Sequence, residues 1–301
     1  MPPNKLDPSR SLLCERCGYP LEDLAETLAD ASDETRASDR GAACPECGLA
    51  IGESLPDRRV GSAWQLKPGP RAWVNTNLSV LRAPRRSFRQ LRVEPRSWRW
   101  LLATNLLVAG GLILAPWPGV IIWEPVRQMG AIEGPGEVAI AAIVIVGELL
   151  LVALLLGLLT WIECAGVRFF ARRRGWRLTR DAAWQVCAHA SVGWIVAGVA
   201  GLMALVASAI LTPALADVEV PALGITRNNR SGFSPAIIVG SSLVLLAYFA
   251  GMMVFEWLAW VGVRTCRFAN SVAPRAARAP EAATIGRWQG SDEPGTGATD
   301  A

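Results

Sequence analysis

Four long apolar runs divide the chain, at about residues 98–122, 138–162, 183–211 and 235–263, with polar sequence before, between and after them. Each reaches the roughly 20 residues that a helix needs to cross a bilayer core. A soluble helix would carry a polar face every ~3.6 residues, yet the run 138–162 holds one charge, Glu148. The pattern predicts an all-α polytopic membrane protein: four transmembrane helices in two hairpins, within residues 98–264. Pro116 and Pro118 predict that the first helix bends or shortens in its outer part. Two runs end alike, in Trp161-x4-Gly166-Val167-Arg168 and Trp257-x4-Gly262-Val263-Arg264. Duplicated hairpins would give this weak repeat, and chance recurrence of a boundary would too.

The flanks divide further. Residues 1–13 and 265–301 lack apolar periodicity and read as disordered ends. Residues 14–52 form a small cysteine module with a flexible internal loop, and 53–97 a linker followed by a basic juxtamembrane segment. The N-terminal stretch has no apolar signal-peptide core, so insertion is expected to rely on the internal runs.

Composition agrees with the pattern. The chain has 301 residues, is 51% hydrophobic and only 19% charged, with a mean hydropathy of +0.29. That excludes a secreted disulfide scaffold, a fully disordered chain and a single large soluble enzyme. Arginine placement sets the orientation. Clusters precede the first run, follow the second (Arg168, Arg172, Arg173, Arg174, Arg177, Arg180) and follow the fourth (Arg264, Arg267, Arg275, Arg278), whereas the two other loops are poor in them. Both termini are therefore expected in the cytoplasm, with the protein in a bacterial-type inner membrane. Tryptophans such as Trp98, Trp161, Trp257 and Trp260 fall at the run boundaries, where aromatic belts form.

Chemistry concentrates in Cys14-Glu-Arg-Cys17-Gly18 and Cys44-Pro-Glu-Cys47-Gly48. In each knuckle the two-residue spacer brings both thiolates to one ion, and the glycine after the second cysteine permits a left-handed turn. Four thiolates suit tetrahedral Zn²⁺ in a closed, structural site, and so short a module would fold on metal binding. No histidine or further ligand nearby suggests an open catalytic position.

CERCGYPL followed by CPECG resembles the zinc ribbons that begin many bacterial multipass membrane proteins, written CxxCGYxL…CPECG. It is also similar to rubredoxin, whose knuckles hold iron for electron transfer. Residues 22–43 contain no aromatic side chain to shield an iron site, which favours zinc. The resemblance covers about 40 residues and implies metal binding, not an activity. The membrane part resembles Yip1-like proteins in hydropathy only.

Charge separates two partner classes. Residues 1–56 carry five basic against eleven acidic groups, a net of −6, and thiolates deepen it. Phosphate binding needs the opposite sign, so the ribbon reads as a protein-docking knob and not as a nucleic-acid module. Residues 71–99 hold eight arginines against Glu94 alone, with Val80, Leu81, Phe88 and Leu91 among them. That is the pattern of an interfacial helix on anionic lipid headgroups through Arg82, Arg85, Arg86, Arg89 and Arg92. The same arginines would also enforce topology.

Ionisable residues inside spans are functional candidates. Counted from the basic boundaries at ~1.5 Å per residue, Asn105, Glu163, His189 and Glu256 fall within about 7–13 Å of the cytoplasmic side, and Glu148 lies about 22 Å beyond Glu163. They would form either an ion- or proton-handling cavity or a set of polar contacts locking the bundle. Gly110, Gly111, Gly147, Gly157, Gly198 and Gly201 would permit close helix approach. No HExxH, P-loop, GxSxG or GxGxxG is present, so no enzymatic activity is expected. The function expected is a membrane-anchored interaction or scaffolding component; the alternative is a small transporter. A homo-oligomer would bury more surface than a lone four-helix bundle.

Overall fold

The computed structural model describes residues 12–21, 43–55, 58–94, 97–115, 135–215 and 235–270. The expectations of disorder over residues 1–11 and 271–301, and of a flexible loop within 22–42, lie outside the described residues. Among the described residues the protein is helical, with no strand beyond two isolated bridges, Leu13 to Pro20 and Ala43 to Ala50.

A 3-10 turn at Ile51–Ser54 leads to eight α-helices: α1 Ala63–Leu66, α2 Pro70–Arg82, α3 Pro84–Gln90, α4 Trp98–Leu114, α5 Pro135–Arg173, α6 Arg180–Ala190, α7 Val192–Leu215 and α8 Pro235–Cys266. Their ends follow local chemistry. Ser62 and Gln65 form a reciprocal capping box on α1, and α2 and α3 each begin with proline, whose fixed φ suits a first helical turn. After α5 the chain turns at Gly175, φ 69°. The Trp176 N–H donates to the Ala171 carbonyl and the Gly175 N–H to that of Arg172, the Schellman arrangement that needs a left-handed residue. Thr179 then caps α6 by accepting from the Ala182 N–H at 3.2 Å.

Three segments are long and apolar enough to cross a membrane: Ala142–Arg173, Arg180–Leu211 and Val239–Cys266. They point to a membrane protein. The first apolar run gives only the 17 residues of α4, about 25 Å at 1.5 Å per residue against a core of about 30 Å. Its expected continuation to residue 122 falls outside the described residues. The second helix runs past residue 162 to Arg173, because nothing in Glu163–Arg173 opposes a helix that has left the apolar layer. The third expected helix is two, α6 and α7, meeting at Ser191, whose hydroxyl donates to the Ala188 carbonyl at 2.7 Å.

In the bundle α4 packs between α5 and α7, α7 packs along α8, and α6 contacts α4, α5 and α8. One core joins Leu106, Leu156, Val186, Trp194, Phe255 and Leu258. Trp194 stacks on Phe255 at 4.9 Å and Trp98 on Trp184 at 4.4 Å. Outward faces of α5 and α8 expose Leu151, Leu154, Leu245 and Leu246, the apolar surface that a bilayer would cover.

The segment before α4 departs from expectation. Residues 53–70 read as linker, yet they hold the end of the 3-10 turn, α1 and the buried Arg59. Val80, Phe88 and Leu91 do not turn to lipid. They are buried in the core with Val186, Leu258 and Val263, because the bundle end offers them protein in place of acyl chains.

Candidate metal centre and its attachment to the bundle

Two short segments build matching knuckles. The N–H of Gly18 donates to the Cys14 carbonyl and that of Gly48 to the Cys44 carbonyl, each at 2.8 Å; Cys14 and Cys44 donate to Tyr19 and Leu49 carbonyls, also at 2.8 Å. Gly18 (φ 83°) and Gly48 (φ 71°) take the left-handed conformation the turns require. The knuckles oppose each other so that the Sγ atoms of Cys14 and Cys47, and of Cys17 and Cys44, lie 3.5 Å apart. All four sulfurs fall within 4.8 Å of one another. A tetrahedral ion with ~2.3 Å bonds to sulfur would set them about 3.8 Å apart, so the cluster fits one metal ion. No other histidine, cysteine or carboxylate joins this group among the described residues.

The thiols ionise unevenly. Burial pushes Cys14 up, but the N–H groups of Cys17 and Arg16 and the adjoining thiols outweigh it and hold the group at about 7. Burial and the neighbouring thiols push Cys17 to about 12, against the N–H of Tyr19. A cation among them would favour the thiolate in each.

The module does not stand free of the helices. Asn270, just past α8, accepts from the Leu13 N–H at 3.0 Å and donates to the Leu13 and Ser54 carbonyls, both at 2.8 Å. Arg59 donates from Nε and Nη2 to the two carboxylate oxygens of Glu15, each at 2.8 Å. Its Nη1 donates to the Leu91 carbonyl at 2.9 Å. Arg59 is 4% exposed. Gly18 lies against Phe268, where a Cβ would meet the ring at 2.7 Å. Leu12, Leu13 and residues 265–270 therefore belong to folded structure, not to disordered ends. Glu15, Arg59, Phe268 and Asn270 were not singled out from the sequence. The one sequence signal for any of them is the place of Glu15 between Cys14 and Cys17.

The remaining candidates separate into groups. Asn105, fully buried, accepts from Trp73 Nε1 at 2.6 Å and from Asn77 Nδ2 at 3.1 Å, and donates to Ser191 Oγ at 2.9 Å. His189, also buried, places Nδ1 2.8 Å from the Gln185 carbonyl and Nε2 3.1 Å from Ser62 Oγ. Both are satisfied polar joints between the bundle and the α1–α2 segment. Glu163 and Glu256 come together, their carboxyls within hydrogen-bonding reach, beside the touching thiols of Cys164 and Cys187. Glu148 stands apart on α5, half-buried. Of the expected headgroup arginines, Arg82, Arg85, Arg86 and Arg89 are exposed. Arg92 turns inward, with Nε 3.4 Å from Glu94.

Compared with known proteins, the chain matches no family model, no curated protein and no solved structure. The likeness to zinc ribbons rests on the four cysteines and their geometry.

Proposed function

We propose that the protein is a membrane-anchored interaction component whose zinc-bound ribbon presents a docking face at a fixed place beside the bilayer. The observation that carries this reading is the asymmetry of the two knuckles. The first is used internally, against Phe268, Asn270 and Arg59. The second leaves Pro45, Glu46 and Gly48 exposed, with nothing within 4 Å of a Cβ at Gly48. A structural metal and an ion-paired seat hold this outward surface rigid, which lowers the ordering cost of binding. The reading includes four spans with both termini cytoplasmic, supported by the alternating arginine clusters. It assigns no catalysis and no nucleic-acid partner.

The test is quantitative co-purification from native membranes. A Pro45→Ala/Glu46→Lys variant that keeps its metal, and a Cys44→Ser/Cys47→Ser variant that does not, should both lose the same partner. Profiles identical to the intact protein would overturn the reading. A second reading, ion handling, is favoured only by the meeting of Glu163 and Glu256. Cation flux in proteoliposomes, abolished by Glu163→Gln and Glu256→Gln and indifferent to Pro45→Ala/Glu46→Lys, would decide for it.

A further inference from the structure

An open cleft of about 960 Å³ lies between the ribbon, α3 and the end of α8. It is strongly basic. Arg16 and Arg58 reach it from the ribbon side, Arg85 and Arg89 from α3, and Arg264 and Arg267 from α8 and the turn beyond. Among the described residues none of these six is ion-paired to a carboxylate. Arg59 is engaged with Glu15, so among the described lining residues Glu53 is the one acidic side chain without an ion-pair partner. Arg16 and Arg267 also donate to the Cys47 and Arg16 carbonyls. Guanidinium groups converging from three elements without a carboxylate partner among the described residues still repel one another unless an anion sits among them, and arginine's planar fork suits phosphate oxygens. The volume is that of a small-ligand site.

A second feature leads into the same cleft. Trp257 and Trp260 line its floor. Below them along α8, Phe249 and Met253 continue one exposed stripe with Trp257, at 57%, 44% and 52% exposure, spaced four apart on one helix face. Arg264 lies over the Trp260 ring at 5.8 Å, so cation and aromatic meet at the junction. A soluble phosphate would use the arginines alone, whereas a bilayer lipid held at this junction would use both the arginines and the stripe.

We propose that this cleft binds the headgroup of an anionic phospholipid carrying two phosphates, with its acyl chains laid along the Phe249–Met253–Trp257 stripe of α8. Two phosphates match six converging arginines, none ion-paired to a carboxylate among the described residues, better than one. The site is not the flat headgroup-facing helix expected from residues 71–99: it takes Arg85 and Arg89 from that stretch and recruits the others from the ribbon and α8. It rests on the chain being membrane-embedded, so resistance of the full chain to carbonate extraction is checked first and separately.

The experiment is native mass spectrometry of the full-length protein in mild detergent. Cardiolipin (two phosphates) and phosphatidylglycerol (one) are titrated separately, with inorganic pyrophosphate as competitor. Cardiolipin should be retained about tenfold better than phosphatidylglycerol. Arg85→Gln/Arg89→Gln/Arg264→Gln should lower its affinity about tenfold or more, given the strength of each cation at a headgroup surface. The corresponding lysine triple variant should restore most of it, while metal content stays unchanged in both. A control that removes equal charge from exposed positions outside the cleft, Arg71→Gln/Arg99→Gln/Arg172→Gln, should change affinity by less than about threefold. Equal losses in cleft and control variants would overturn the proposal in favour of general surface charge. Equal retention of the two lipids would overturn the two-phosphate assignment. Full displacement of cardiolipin by pyrophosphate at matched concentration would transfer the site to a soluble phosphorylated ligand.

Discussion

At Arg59 a buried charge is stabilised by one carboxylate and two backbone carbonyls. Both Glu15 oxygens accept from it, and the Phe88 and Leu91 carbonyls accept from Nη1 at 3.3 and 2.9 Å. Removing one partner of such a pair strands the other away from water, at a cost of about 3–5 kcal/mol, whereas replacing both with apolar groups of similar size is close to neutral. Glu15→Ala should therefore loosen the ribbon from the bundle, and Glu15→Leu/Arg59→Met should recover most of the loss. Amide exchange over residues 12–21 would check this, with equal loosening in both variants counting against the ion pair as the seat. Asn105 follows the same logic with uncharged groups. Asn105→Leu leaves Trp73 Nε1 and the Asn77 amide without their acceptor, so thermal stability in detergent should fall by about 1–3 kcal/mol; a change indistinguishable from Glu148→Gln would count against it. The clustering of Cys14, Cys17, Cys44 and Cys47 was legible because their spacing already pairs them. Arg59 was not, since an arginine in a polar stretch looks the same whether it faces solvent or a carboxylate forty-four positions earlier.

Close approach of α7 and α8 depends on glycines facing the partner backbone. A Cβ at Gly193 would lie 2.5 Å from the Phe255 Cα, and one at Gly251 would collide with the Ala197 backbone. Gly251→Val should force the helices apart and cost about 1–3 kcal/mol or more through overpacking. Gly147→Val, on α5 with nothing within 4 Å of its Cβ position, should be tolerated. Melting both variants in the same detergent compares them directly, and equal stability would refute the contact. Of the glycines expected at helix contacts, Gly198 packs against Leu112 and Gly201 against Tyr248, whereas Gly111 and Gly147 meet nothing; Gly193, Gly251 and Gly262 were not among those expected. Hydropathy shows where an apolar helix lies but not which way it is rotated, so the helices were legible and their contact faces were not. The repeated Trp-x4-Gly-Val-Arg ending shows the same limit. Gly262 packs tightly on Val186 and Phe88, while Gly166 meets nothing, so the shared motif does not carry shared packing. The helices α2 and α3 were half legible: their amphipathic pattern announced a buried face, but protein and lipid interiors make the same demand on it.

Across the whole molecule, hydrogen bonds between Leu13 and Asn270 join positions 257 residues apart, and they fasten the four-cysteine module to the end of the last helix. The two parts differ in what holds them. Among the described residues the ribbon's buried cluster is Cys14, Leu21, Cys44 and Ile51, with Leu12, Tyr19 and Leu49 only partly buried against it; two of the four are candidate ligands, so little apolar burial would remain without a metal. An ion bound by the four cysteines would supply most of the ribbon's folding energy, as in small metal modules where binding is worth about 10–16 kcal/mol. Among the described residues, the bundle core contains no ribbon residue. Chelation should therefore release one metal ion per chain and abolish exchange protection over residues 12–21 and 43–55, while α5, α7 and α8 keep theirs. Arg59 would then lose its carboxylate partner, so protection around Phe88 and Leu91, whose carbonyls it also bridges, should weaken as well. That intermediate effect separates a ribbon seated on the bundle from one merely tethered to it, because a tethered ribbon would unfold without any change at α3. Simultaneous loss of protection throughout α7 and α8 would instead make the metal a condition of the whole fold, and the division between a metal-held ribbon and a self-sufficient bundle would fail.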